Sequence, residues 1–159
     1  MPVLARVMFG LVSFAARKGI HDANSDGAGA AIRKARARST GIRGETFAYW
    51  YLRRHGYIIV ARNYKVPGMK GEIDLIGYDG EILAFIEVKT RSSDDENAGL
   101  PEDAVNMAKR RVISRMARAF LRSTRRYKDV YRFDILAIEA RGGRPPVVRL
   151  HKDAFAEGH

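Results

Sequence analysis

The chain has no cysteine, one tryptophan, five prolines and too few acids to balance its bases. Without thiols, disulfides and thiolate metal sites are excluded, and a reducing, cytoplasmic location is the expectation. The four histidines, His21, His55, His151 and His159, are scattered, and none has the spacing of a zinc site. No run reaches the roughly 18 apolar residues of a membrane span, so no stable span is expected. The acid deficit is large: 29 Lys and Arg stand against 18 Asp and Glu, a net charge of +11. Such a surplus draws polyanions, with DNA or other nucleic acid first and anionic membrane second. The plain alternative is a solvated basic surface.

The 159 residues suit one domain with room for a core. The start, MPVLARVMFGLVSFAARKG, reads as an amphipathic or unstructured leader rather than a signal peptide. HDANSDGAGA has no apolar period and reads as a linker. IRKARAR is a basic arm. Residues 1–38 are therefore expected to form a flexible basic extension, and 39–159 the folded domain. A helix capped at Ser39 or Thr40 should run from about Ile42 to His55, with Gly56 as its stop. YIIVARN comes next as a strand and KVPGMKG as a loop. Two hairpin strands come after it, at about 71–77 and 81–90, then the polar loop RSSDDENAGLP. A long helix should span about Glu102 to Arg126. YRFDILAIEA and VVRLH close the chain as strands. The order αβββαββ describes an α/β domain, a mixed central sheet flanked by helices.

The hairpin GEIDLIGYDGEILAFIEVKTR places Glu72, Asp74, Glu87 and Lys89 within apolar strands. Side chains alternate faces along a strand, so Glu72 shares a face with Asp74, and Glu87 with Lys89. Asp79-Gly80 is a two-residue turn signal. If Tyr78 pairs with Glu81, Glu72 stands opposite Glu87 and Asp74 opposite Phe85. Asp74 is then diagonal to Glu87, within reach of a shared ligand. The second strand is apolar on both faces and should be covered on both. Its charges then belong at a cleft near its end. Facing carboxylates repel, and a divalent cation such as Mg²⁺ or Mn²⁺ offsets the repulsion. Lys89 stands ready to orient a water or steady a phosphoryl transition state. The plain alternative is a surface strand with an alternating Glu/Lys face.

On the first helix Glu45, Ala48, Tyr49 and Leu52 share a stripe. Glu45 either enjoys the helix N-terminus or points into the site. On the second helix Val105, Val112, Met116, Ala119 and Phe120 form an apolar face. Opposite it lie Arg111, Arg115, Arg118, Arg122, Arg125 and Arg126, a one-sign stripe that favours phosphate. Lys109 falls on the apolar side, where it either snorkels or reaches the carboxylates. Asp134, a polar residue in an apolar strand, is expected to make a structural pair with Arg132 or another base.

The ordered set GETFAYWYLRRHGY, ARNY, GEIDLI, FIEVKTR, the Lys109 helix and YRFDILAI resembles the YraN family. It is also similar to the wider restriction-endonuclease-like, PD-(D/E)xK superfamily and to archaeal Holliday junction resolvases. The match runs from about Arg43 through Phe155. The resemblance implies a restriction-endonuclease-like core and a metal-dependent endonuclease acting on DNA, including branched or damaged DNA. By the same resemblance Asp74 and Glu87 hold Mg²⁺ with the Val88 carbonyl, Lys89 serves the attacking water, and Glu45 completes the acidic cluster. Glu72 and Lys109 are accessory candidates. Arg111, Arg115, Arg118 and Arg122 would hold the nucleic-acid backbone. A symmetric junction would favour a homodimer. Ile73 stands where the superfamily has a proline. The alternative function is a nucleic-acid binder that keeps the fold without turnover.

Overall fold

A computed structural model of the chain describes residues 44–92, 105–140 and 144–157. Helix α1 covers residues 44–54, and helix α2 covers Met107–Ser123. The strands are β1 (Ile58–Tyr64), β2 (Ile73–Asp79), β3 (Ile82–Ser92), β4 (Tyr131–Ala140) and β5 (Val147–His151). They form one sheet in the order β1-β2-β3-β4-β5. Only β3 and β4 run parallel. That pairing needs a crossover, and α2 lies within it. The order α-β-β-β-α-β-β and the mixed sheet flanked by helices are those expected from the sequence. The basic extension 1–38 lies outside the described residues, as do 102–104 of the second helix's expected span.

Both faces of the sheet are covered, for the reason the pattern of β3 gave. Phe47, Ala48 and Leu52 of α1 pack with Leu75, Ala84, Ile86, Leu136 and Ile138. Ile113, Met116, Ala117 and Phe120 of α2 pack on the other face with Ile76, Leu83, Phe85, Phe133 and Ile135. Alternate residues of β3 thus feed opposite cores. Strand β1 differs from the apolar run its sequence presents. It is an edge strand, with Ile58 and Val60 exposed.

Helix ends obey local chemistry. Past α1, Gly56 takes φ 91. The Tyr57 N–H then reaches the Leu52 carbonyl and the Gly56 N–H that of Arg53, the paired bonds of a glycine-terminated helix. Helix α2 is shorter than expected. Asn106 is extended, and its side chain caps the Lys109 N–H at 3.0 Å. Beyond Thr124, Arg125 turns into the left-handed region at φ 56. Arg125 and Arg126 therefore leave the expected helical stripe, and Arg126 bonds Tyr78 and pairs with Asp129.

The hairpin register also differs from expectation. Asp79 pairs with Ile82, leaving Gly80-Glu81 as the loop, with Gly80 at φ 62. Asp79 stays in the ladder because Arg132 and Lys152 each bond it at 2.6 Å. Those bonds hold its carboxyl down, at about 2. Arg132 also bonds the fully buried Asp134 at 2.9 Å and the Tyr57 hydroxyl at 2.9 Å. Asp134 is thus the structural partner of Arg132 that the sequence led us to expect. This network sits at the turn end of the hairpin, the end of β2 away from Asp74.

Candidate active site

The β2–β3 pairing runs from Asp79↔Ile82 to Leu75↔Ile86 and stops there. Extending it by one step sets Asp74 directly opposite Glu87, closer than the diagonal expected. Alternation in β2 breaks at this point. Ile73 and Ile76 both join the α2-side core, while Leu75 between them joins the α1 side. Asp74 lies in that break, and its Oδ2 accepts the Val88 N–H at 2.7 Å. A side chain thus takes the place of a ladder partner. The N–H and C=O of one strand residue point to the same edge. The Val88 carbonyl therefore lies on the Asp74 side as well.

Glu87 is only 3% exposed and stands between two ammonium groups. Lys89 Nζ donates to Oε1 at 2.9 Å. Lys109 Nζ lies 3.0 Å from Oε2, but off a hydrogen-bonding direction. Oε2 is buried and makes no hydrogen bond. In this structure the two lysines supply the counter-charge for which the sequence pointed to a divalent cation. Lys109 thus reaches the pocket rather than snorkelling away.

Asp74 is buried, and its carboxyl is pushed up to about 7. Burial is the main cause and the Glu87 charge the second. The Val88 N–H and Lys109 pull it back, and Glu45 pushes it further up. Glu45 is therefore electrostatically part of the pocket. Two features place it. Gly44 approaches Thr90 so closely that a Cβ there would come within 2.0 Å of Oγ1, which seats α1 against β3 just past Lys89. Asn63 takes φ 47 and donates its side-chain N–H to Glu45 Oε2 at 2.7 Å. Sequence reasoning missed Asn63. The only signal was an asparagine, a residue tolerant of left-handed backbone, inside a strand run.

Glu72 lies just before β2, and its carboxylate pairs with Lys65 at 3.2 Å. Only its carbonyl approaches Lys109, at 3.5 Å. Arg111, Arg115 and Arg122 are exposed on α2. Arg118 is bound to Glu157 at 2.6 Å, and Glu157 also accepts from Tyr131.

No group of three or more His, Cys, Asp or Glu among the described residues is arranged to hold a metal ion. The donor set on offer is the carboxylates of Asp74 and Glu87 with the Val88 carbonyl beside them. Mg²⁺ fits such a set, since it usually takes one or two carboxylates and keeps several waters. Glu87 Oε2, ion-paired to Lys109 but without a hydrogen bond, is the hard-oxygen donor on offer. No helix among the described residues is long and apolar enough to cross a membrane.

Comparison with known proteins gives a consistent match. The model of the family described as "Uncharacterised protein family UPF0102" matches residues 44–138, which hold α1, the hairpin, α2 and most of β4. A UPF0102 protein of Koribacter versatilis is 46% identical over 116 residues, covering 73% of this chain and 78% of that protein. One from Geobacter metallireducens is 40% identical over 110 residues, covering 69% and 87%. Another, from Dictyoglomus thermophilum, is 40% identical over 101 residues, covering 64% and 82%.

Proposed function

We infer that this chain, which belongs to the UPF0102 family, is a metal-dependent endonuclease that hydrolyses DNA phosphodiesters, those of branched or damaged DNA included. One observation carries the reading. Two buried carboxylates, Asp74 and Glu87, meet where a sheet ladder ends, one with an oxygen lacking any hydrogen bond and the other with its proton held up to about 7. The likeness of GEIDLI and FIEVKTR to the PD-(D/E)xK superfamily supports the same assignment.

Asp74, Glu87 and the Val88 carbonyl would hold Mg²⁺ or Mn²⁺. The chemistry supplied there is Lewis acidity toward a phosphoryl oxygen. The chain's own residues do the rest. Lys89 Nζ donates a hydrogen bond to the attacking water and orients it. Lys109 Nζ, on the α2 side, neutralises charge that develops on the phosphoryl oxygens. Glu45, fixed by Asn63, holds water on the α1 side. Arg111, Arg115 and Arg122 contact the DNA backbone, which positions the duplex without reading its sequence.

The test is cleavage of plasmid and branched oligonucleotide substrates with Mg²⁺ or Mn²⁺. Asp74→Ala and Lys89→Ala should each lose about 10²-fold or more of the wild-type rate. A second reading, a nucleic-acid binder without turnover, is favoured by the lysines that already neutralise Glu87. It wins if wild type and both variants bind DNA equally and none cuts it with added metal.

A further inference from the structure

Helix α1 turns a distinctive face outward. It and its final turn carry Phe47, Tyr49, Trp50, Tyr51 and His55, and of these only Phe47 is buried. A surface helix ordinarily shows charged and polar residues on that side. Tyr49 and Arg53 stand at i+4 and i+8 from Glu45, so the three form one stripe. They lie about 6 Å and 12 Å along the helix from the acid. Gly44, next to Glu45, is seated against Thr90, next to Lys89. The stripe therefore begins at the candidate site and leads away from it.

Cations are built onto these rings. The exposed Arg62 of β1 holds its guanidinium 4.5 Å from the centre of the Tyr49 ring. Arg53, also exposed, lies 5.5 Å from Tyr49 and 5.6 Å from Trp50, and donates to the Tyr49 hydroxyl at 2.6 Å. Tyr49 and Trp50 meet edge to face at 5.0 Å. The two guanidinium groups thus lie over the rings, and both arginines are exposed. Aromatic rings and arginine planes are the surfaces on which unpaired bases stack, and the same guanidinium groups attract phosphate. Paired bases keep their faces inside the duplex and gain nothing from such a surface. The +11 charge of the chain adds to the pull.

The geometry points to a single-stranded DNA platform, in which Tyr49, Trp50, Arg53 and Arg62 stack unpaired bases next to the phosphodiester at Asp74 and Glu87. It rests on the nucleic-acid reading of that site and names the feature recognised there: an unpaired stretch beside the scissile phosphate, as at a branch point or lesion.

Trp50 is the only tryptophan in the chain, so its fluorescence reports on this surface alone. The full chain is titrated in EDTA at low salt with oligothymidylate, with an abasic oligomer of equal length, and with a duplex. Oligothymidylate should quench Trp50, and the abasic oligomer and duplex should not. By anisotropy, Trp50→Ala should bind oligothymidylate about tenfold more weakly, with abasic binding changed by less than about twofold. Circular dichroism checks that the variant folds, and the wild-type titration stands without it. Equal quenching by the abasic oligomer, binding of oligothymidylate without quenching, or no single-strand binding at all each overturns the platform. Since metal is absent throughout, failure here is separate from failure of the cleavage assay. Quenching without metal-dependent cutting keeps the platform and removes the nuclease.

Discussion

Replacing Asp74 with Asn changes the charge of the pocket without emptying it. Asn keeps an oxygen to accept the Val88 N–H and cannot ionise. In the folded chain the Asp74 carboxyl titrates at about 7, against 3.8 when unperturbed. Its folded pKa therefore lies above its unfolded one, and the native state binds the extra proton between the two values. Wild-type stability from this group is greatest at low pH and is lost as pH rises through that window. With those two values, the loss between about pH 5 and pH 8 is about 2–3 kcal/mol. Asp74→Asn escapes that loss, so its stability relative to wild type should grow by the same amount over that range. At about 2–4 °C per kcal/mol for a chain of this size, the gap in Tm should widen by roughly 5–10 °C. Thermal unfolding monitored by circular dichroism in EDTA, at several pH values across this range, measures it. Titrating groups away from the pocket cancel in the difference between the two proteins. Added Mg²⁺ at the high-pH end should narrow the gap, because only the carboxylate gains from the cation. A gap that stays constant across the range, or vanishes at its top, would show that Asp74 is not held protonated by burial beside Glu87.

Three further outcomes are expected. Arg132→Met strands the fully buried Asp134 with little beyond the Asp153 N–H, and urea denaturation should show a loss of about 3–5 kcal/mol. Arg132→Met with Asp134→Leu should recover much of it, and a double variant as unstable as the single one would argue against the network. Gly44→Ala drives a Cβ against Thr90 and should cost about 1–3 kcal/mol. It should also lower the Asp74→Asn advantage, if displacing α1 takes the Glu45 charge away from the pocket. Neutralising Arg111, Arg115 and Arg122 to Gln should weaken binding to all duplex sequences alike, each flattening the salt slope of log K by roughly 0.9. Arg118→Gln should change the slope less, since Glu157 already holds that side chain.

The sequence marked some parts of this architecture well and others poorly, for physical reasons. Strands β4 and β5 fell on YRFDILAIEA and VVRLH because apolar runs bounded by turn residues leave little choice. The two-sided burial of β3 was legible in its unbroken apolar pattern. The register was not. Asp79-Gly80 is a turn signal in isolation, but Arg132 and Lys152, distant in sequence, hold Asp79 in the ladder. That shift by two residues brings Asp74 opposite Glu87. It leaves Glu72 outside the strand, tied to Lys65. The end of α2 was misjudged because arginines favour helix, while the left-handed backbone at Arg125 belongs to the turn that leads into β4. Lys109 was legible as an oddity on an apolar face, though its partner was not. Asn63 carried almost no signal, because its role depends on a backbone twist that brings it to a helix eighteen positions earlier.

The pocket's two halves come from connections of very different reach. Asp74 and Glu87 are set side by side by a hairpin with a two-residue loop, the kind of closure a chain completes in microseconds. Lys109 arrives only when the parallel β3–β4 crossover docks, a slower and less local event. During synthesis the two acids therefore have Lys89 alone, on their own hairpin, until Lys109 arrives. Until the crossover closes, the young hairpin is held together by its oily residues and the Lys89–Glu87 pair, with one negative charge still unmatched at its end.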